Sequence, residues 1–249
     1  MNTISDEHNL RTAIDSYFNK KLTGTQLLRT FAVYRGWHVP ARLESLVPVF
    51  SDYDLGDGKR HYFLFSDKDA YLACRKKIGI EIMGDYYVGN VSGPSAIDAI
   101  KDTVDIVNIN PYSAQEVHYK KEQIAELKTW SRIVKTEMAL ESANSSIRGY
   151  QTIRTFNNYY FIMEDEKFVA LVPDRRGRKL AALFTANDAL ELFLERNTKP
   201  NQRAIPIGGE ALFSALRKMP LDGMVFNCSG PVRPRVFPLS FATEVLEKG

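Results

Sequence analysis

Two stretches of this 249-residue chain repeat one another, and the repeat limits the folds open to it. Tyr62 to Cys74 reads YFLFSDKDAYLAC, and Ala181 to Phe193 reads AALFTANDALELF. Each is an apolar strand running into a helix start. Ser66 and Thr185 stand as N-cap candidates, with Asp69 and Asp188 three residues on. A hydroxyl there satisfies an orphan amide, and the acid places negative charge at the helix's positive end. Behind the cap, Ala70, Tyr71 and Cys74 match Ala189, Leu190 and Phe193, one apolar stripe at helical spacing. The match continues through Gly93 and Gly209, each leading a second short helix, carrying Ile97, Ala99 and Ile100 or Phe213, Ala215 and Leu216. Each helix is followed by a buried-type strand, VDIVNINP (104–111) or LDGMVFNC (221–228). Asp105 pairs with Asp222 and Asn110 with Asn227 as the offset drifts only from 119 to 117. Four elements in one order at a nearly constant offset point to two diverged copies of one domain.

Ahead of each core lies a hairpin pattern of apolar runs around a Gly-containing turn. In the first copy LVPVFSDYD passes through LGDGK into RHYFLF; in the second FVALVPD turns at RRGRK into LAALF. A further strand precedes each, at 36–43 and 159–164. Residues 5–34 read as two helices broken at Leu22 to Thr25, with Thr25 placed to cap the second. Residues 121–143 read as one longer helix with a stripe of Ile124, Leu127, Val134 and Met138 and Trp130 alongside. The small polar run 142–149 suits a linker. The expected class is α+β: two tandem copies of a small mixed β-sheet domain with helices packed on the sheet, plus N-terminal helices and a long linking helix. The expected division is an N-terminal helix at 1–21, a first domain with its trailing helix at 22–143, and a second domain at 150–249.

The order of helix, VPV strand, hairpin, LFTS-like helix start, Gly-led helix and G-x-V-x-N-like strand resembles the N-terminal domain of the enhanced-serine-sensitivity (SseB) family. LLRTF, VPVF, FLFSDKDA and IVNINP carry the resemblance in the first copy, and ALVPD, ALFTANDAL and DGMVFN in the second. It covers most of the chain, once per half. It implies a small α+β domain and brings no catalytic residues. The Asn-Pro ending stands as Asn110-Pro111 in the first copy and departs to Asn227-Cys228 in the second.

Composition is that of a folded globular chain: 44% hydrophobic, 25% charged, net charge +3. Two distant cysteines, Cys74 and Cys228, favour neither a disulfide scaffold nor a zinc site. The acidic start without an apolar core is not read as a signal peptide, and no apolar run approaches the roughly 20 residues a membrane span needs. A cytoplasmic protein without membrane contact is expected. The search for chemistry finds no G-x-S-x-G elbow, no H-x-x-x-H and no G-x-G-x-x-G. A Cys74/His61 dyad is conceivable, but Cys74 lies on the core stripe. Asp52, Asp54 and Asp57 lack a calcium loop's spacing, and Gly208-Gly209 reads as a helix-start turn. No catalytic residue, metal or cofactor is expected.

The sharpest local charge is the basic turn Arg175, Arg176, Arg178 and Lys179, with Arg233 and Arg235 in a proline-stiffened segment further on. Guanidinium forks suit carboxylates and phosphates. These six residues are the candidate partner-binding set. The expected function is a non-catalytic protein-binding module, either a regulator or adaptor or a toxin-neutralising protein of the bacterial immunity kind, with a toxin or secretion-associated protein as partner. The rivals are an enzyme with its site in a groove between two lobes and a weak nucleic-acid binder. The latter is not favoured, because the aromatic residues fall in core-like strands.

Overall fold

In a computed structural model the described residues are 7–84, 86–142, 146–164, 168–169, 171–173, 176–197, 199 and 201–249. Part of the expected linker (143–145) and Arg175 of the basic turn lie outside them. The chain divides into two compact units, 1–134 and 135–249.

The first unit begins with α1 (Glu7–Phe18), α2 (Gly24–Val33), β1 (Trp37–Glu44), β2 (Val47–Phe50), β3 (Tyr53–Asp54) and β4 (Arg60–Leu64). It continues through α3 (Lys68–Ile78), α4 (Ile80–Met83), β5 (Tyr87–Val91), α5 (Gly93–Asp98), β6 (Ile106–Ile109) and β7 (Val117–Lys120) into α6 (Lys121–Glu141). The parallel pair β4/β6 lies at its centre, with β3 and β7 as antiparallel flanks. The antiparallel set β2-β1-β5 joins it through a bridge between His38 and Phe65. Strand alternation then separates two faces. Phe63 and Phe65 pack with Tyr53, Tyr71, Cys74 and Met83, while Tyr62 donates its hydroxyl proton to the Ala96 carbonyl of α5.

From the division onward the second unit repeats this order. It contains α7 (Ile147–Thr155), β8 (Tyr159–Glu164), β9 (Phe168–Val169), β10 (Leu171–Pro173), β11 (Lys179–Phe184) and α8 (Asn187–Asn197). There follow β12 (Gln202–Ile207), α9 (Gly209–Leu216), β13 (Gly223–Phe226), β14 (Arg235–Pro238) and α10 (Ser240–Lys248). Its strand path β12-β8-β11-β13-β14 is the counterpart of β5-β1-β4-β6-β7, and β11/β13 is again the parallel pair. Ala182 and Phe184 pack with Ala189, Leu190 and Phe193 of α8. The fold is α+β, two tandem copies of one mixed-sheet domain.

The residues that repeat explain why both halves close alike. The Gly93 amide donates to the Tyr34 carbonyl at 2.6 Å, and that of Gly209 to Phe156 at 2.7 Å. A Cβ on Gly93 would run into the Ala32 carbonyl, and one on Gly209 into those of Ile153 and Arg154, so only glycine admits the approach. Asp105 accepts the Arg60 amide at 2.9 Å, and Asp222 that of Lys179 at 2.7 Å. Asn110 and Asn227 end the central strands at φ 46 and 53, and their side-chain oxygens accept the amides of Ser66 and Thr185.

Several local expectations are corrected. Ser66 and Thr185 do not cap helices. Asp67 caps α3 by accepting the Ala70 amide, and Ser66 instead donates its hydroxyl proton to Asp67. The Thr185 hydroxyl donates to Glu137 at 2.9 Å. Thr23, not Thr25, caps α2, in a capping box with Gln26. VPVF pairs with β1, so only Tyr53–Asp54 forms the hairpin with β4. Ile147 to Gly149, read as linker, are the first turn of α7, capped by Ser146. On α6, Met138 is exposed while Thr136 and Glu137 are buried, because the Glu137 carboxylate takes part in the Thr185/Asn227 cluster. Among the described residues no helix is long and apolar enough to cross a membrane.

Candidate functional site

The basic candidates fall on different elements of the second unit. Arg176 is exposed in the turn before β11, Arg178 is half-buried, and Lys179 opens β11 with its amide held by Asp222. Arg233 is exposed ahead of β14. Arg235 lies within β14, and its guanidinium donates to Glu141 at 2.8 Å.

A feature that charge counting misses lies in the first unit. Beyond Ala41, β1 and β2 continue as a two-stranded arm, and every residue from Arg42 to Pro48 is exposed. Its tip is a two-residue turn, Ser45-Leu46, between the paired Glu44 and Val47. Both turn residues have positive φ, 51 and 68. That geometry matches the right-handed twist of the flanking strands and ordinarily selects Asn-Gly. Here it holds a leucine that is 90% exposed, flanked by Leu43 and Val47 at 53% and 60%. The signal that could find it is the run Leu43-Glu44-Ser45-Leu46-Val47, apolar residues without a turn-forming glycine.

A second feature crosses the first unit's sheet. His61 on β4, Asn108 on β6 and His118 on β7 lie on one face: His61 and Phe63 are alternate residues, Phe63 pairs with Asn108, and Asn108 pairs with His118. The His61 Nε2 lies 3.1 and 3.2 Å from the Asp57 carboxylate oxygens, and its Nδ1 is 3.2 Å from the Asn108 amide nitrogen. The Asn108 amide oxygen is 2.8 Å from His118 Nδ1, and His118 Nε2 is 3.0 Å from Glu116. The chain carboxylate–imidazole–amide–imidazole–carboxylate therefore spans three strands. His61 and Asn108 are buried; Asp57 and His118 are about half exposed.

The conceivable Cys74/His61 dyad is absent, since both His61 nitrogens are committed to this ladder. Burial pushes the Cys74 thiol up to about 12, and its Sγ faces Met83 Sδ at 3.7 Å. Burial likewise raises Cys228 to about 11. Asp52, Asp54 and Asp57, the three aspartates of the hairpin segment, serve separate partners. Asp52 is buried against Arg60 at 2.7 Å and Lys101 at 3.3 Å, and the hydrogen bond from Arg60 holds its carboxyl down at about 2. Asp54 accepts the Gly56 amide, and Asp57 belongs to the ladder.

No protein-family model matches this chain, and no curated protein matches it.

Proposed function

We propose that this protein acts by binding another protein, without catalysis, and that the β1–β2 arm of the first unit is its main contact. The supporting observation is the tip: a leucine held in left-handed geometry at 90% exposure. Left-handed backbone costs an ordinary residue about 1–2 kcal/mol, and Leu46, at 90% exposure, gains almost no burial in its own unit to offset it. Burying one such side chain in a partner contributes about 1.5–3 kcal/mol. The fitting partner carries an apolar socket, with charges on its rim opposite to those of exposed Arg42 and Glu44. The basic residues Arg175, Arg176, Arg178, Lys179, Arg233 and Arg235 are a further acidic-partner contact, acting through encounter rate rather than lifetime. A toxin or secretion-associated protein is the partner class we favour. Kinship with the SseB family, supported by the repeated strand–helix motifs, is part of the same reading. The cytoplasm is the proposed compartment, and two unpaired thiols suit its reducing conditions.

The test is affinity capture from the native cell with wild type and Leu46→Asp, followed by binding kinetics with the purified partner. Leu46→Asp should leave the melting temperature within a degree or two and abolish capture of a partner that wild type holds. An identical bound set with both proteins removes the arm from the reading. Turnover of a small molecule by the purified protein overturns the reading itself.

A further inference from the structure

We propose that this protein associates with copies of itself, α3 of one protomer docking antiparallel on α8 of the next. The two are the same helix in the two copies of the domain. Their inner faces agree: Ala70, Tyr71 and Cys74 stand where Ala189, Leu190 and Phe193 stand, each set packed on its own sheet. Their outer faces carry opposite charge. In α3 four basic residues, Lys68, Arg75, Lys76 and Lys77, stand against one acid, Asp69. In α8 three acids, Asp188, Glu191 and Glu195, stand against one base, Arg196. Lys68, Lys76, Lys77, Glu191, Glu195 and Arg196 are exposed. Among the described residues, none forms an ion pair with Lys68, Lys76, Glu191 or Glu195.

The fold does not require the reversal of sign, because both helices close the same strand path with the same inner face. The helix macrodipole favours acids in the first turn and bases in the last. It accounts for Asp69 and Asp188, and for Arg75, Lys76, Lys77 and Arg196. It does not account for Lys68, the first residue of α3, or for Glu195 in the last turn of α8, each at the end where the dipole opposes it. Antiparallel docking brings these two together, since the first turn of α3 then faces the last turn of α8. Lys68 meets Glu195, and Asp69 meets Arg196. At the other end Lys76 and Lys77 meet Asp188 and Glu191. Parallel docking would set Asp69 against Asp188 and Lys77 against Arg196, like charge against like. Lys68, Leu72 and Lys76 are four residues apart and form one row on α3; Asp188, Leu192 and Arg196 form one on α8. Leu72, 39% exposed, and half-buried Leu192 therefore sit at the middle of their rows and supply an apolar contact between the charged ends. The order of charges selects the partner as well as the direction. A uniformly acidic surface would suit Lys76 and repel Asp69, whereas α8 answers both. Exposed pairs of this kind steer encounter and are screened by salt, so the association is salt-dependent.

The test is sedimentation velocity of the full chain at about 0.05 M and about 0.5 M salt, where exposed charges are weakly and then strongly screened. Wild type should self-associate at low salt, with a dissociation constant at least about tenfold higher at high salt. One variant combines Lys68→Glu, Lys76→Glu and Lys77→Glu, and so carries two acidic helices. Another combines Glu191→Lys and Glu195→Lys, and carries two basic ones. Neither should self-associate, and an equimolar mixture of the two should associate. Thermal melts check that each folds; if the triple variant does not, the Glu191→Lys, Glu195→Lys protein decides alone against wild type. Leu46→Asp should associate as wild type does, because the arm is a separate contact, and loss of self-association there would overturn the proposal. So would a wild type that stays monomeric at low salt up to about 1 mM, a folded reversal variant that self-associates as wild type does, or folded variants that remain apart when mixed.

Discussion

Asn110 offers the sharpest test of what holds the central strands. Its side-chain oxygen accepts the buried Ser66 amide at 2.8 Å, and its own backbone lies at φ 46. Asn110→Ala removes both accommodations. A buried amide left without an acceptor costs about 1–3 kcal/mol, and left-handed backbone costs alanine about 1–2 kcal/mol more. The sum is about 2–5 kcal/mol. Asn110→Gly removes the acceptor but tolerates the backbone, so it should recover about 1 kcal/mol of that loss. Asn90→Ala is the control: an exposed asparagine at φ 57, where only the backbone cost applies. Both tryptophans, Trp37 and Trp130, lie in the first unit, so their fluorescence reports its unfolding in urea. At a slope of roughly 1–3 kcal/mol per molar urea, Asn110→Ala should lower the midpoint by about 1 M or more. A midpoint no lower than that of Asn90→Ala would refute the reasoning, because the side-chain bond would then contribute nothing beyond backbone geometry.

Two further outcomes follow from the same geometry. Gly93→Ala and Gly209→Ala each force a methyl against backbone carbonyls that cannot rotate away, and each should destabilise its unit by about 2 kcal/mol or more in thermal melts, where Gly24→Ala, with open space around it, should not. Asp52 titrates at about 2 in the folded protein against 3.8 unperturbed, so its stabilisation is present above pH 4 and is lost as the pH falls to about 2. That amounts to at most about 2 kcal/mol, and Asp52→Asn should flatten the acid side of the stability curve over this window.

What could be read in the sequence was what burial writes into it. The central strands and the helices behind them carry continuous apolar runs or stripes, so Tyr62–Phe65, Tyr71 and Cys74 were found beside Leu183–Phe184, Leu190 and Phe193. The strands β5, β7, β12 and β14 were missed because an edge strand has one solvated side and tolerates polar residues and proline. VHYK and RVFP alternate too briefly to stand out, and Pro238 ends its strand. The expected caps Ser66 and Thr185 differ from the structure for a related reason. Ser66 and Thr185 lie just beyond their strands, and their polar groups are used across the sheet and by Glu137 rather than along the helix.

The candidate sites were illegible for a different reason, and the duplication says how they could have been found. Polar residues present in both copies, Asp105 with Asp222 and Asn110 with Asn227, hold backbone amides that any chain with this strand path must satisfy. Repetition therefore marks a structural task. Polar residues present in one copy and apolar in the other have no such task, because the apolar copy closes the same sheet without them. His61, Asn108 and His118 against Leu180, Val225 and Val236 are of this kind, and burying the first two costs desolvation that leucine and valine avoid. They are far apart in the chain and meet only through the strand order β4-β6-β7, so no motif could announce them. The arm tip inverts the argument. Leu43, Leu46 and Val47 are apolar where water would accept anything, and the left-handed turn favours residues other than leucine. In both places the residues run against what the fold alone would select, and that opposition, rather than charge density, separates the functional candidates from the scaffold.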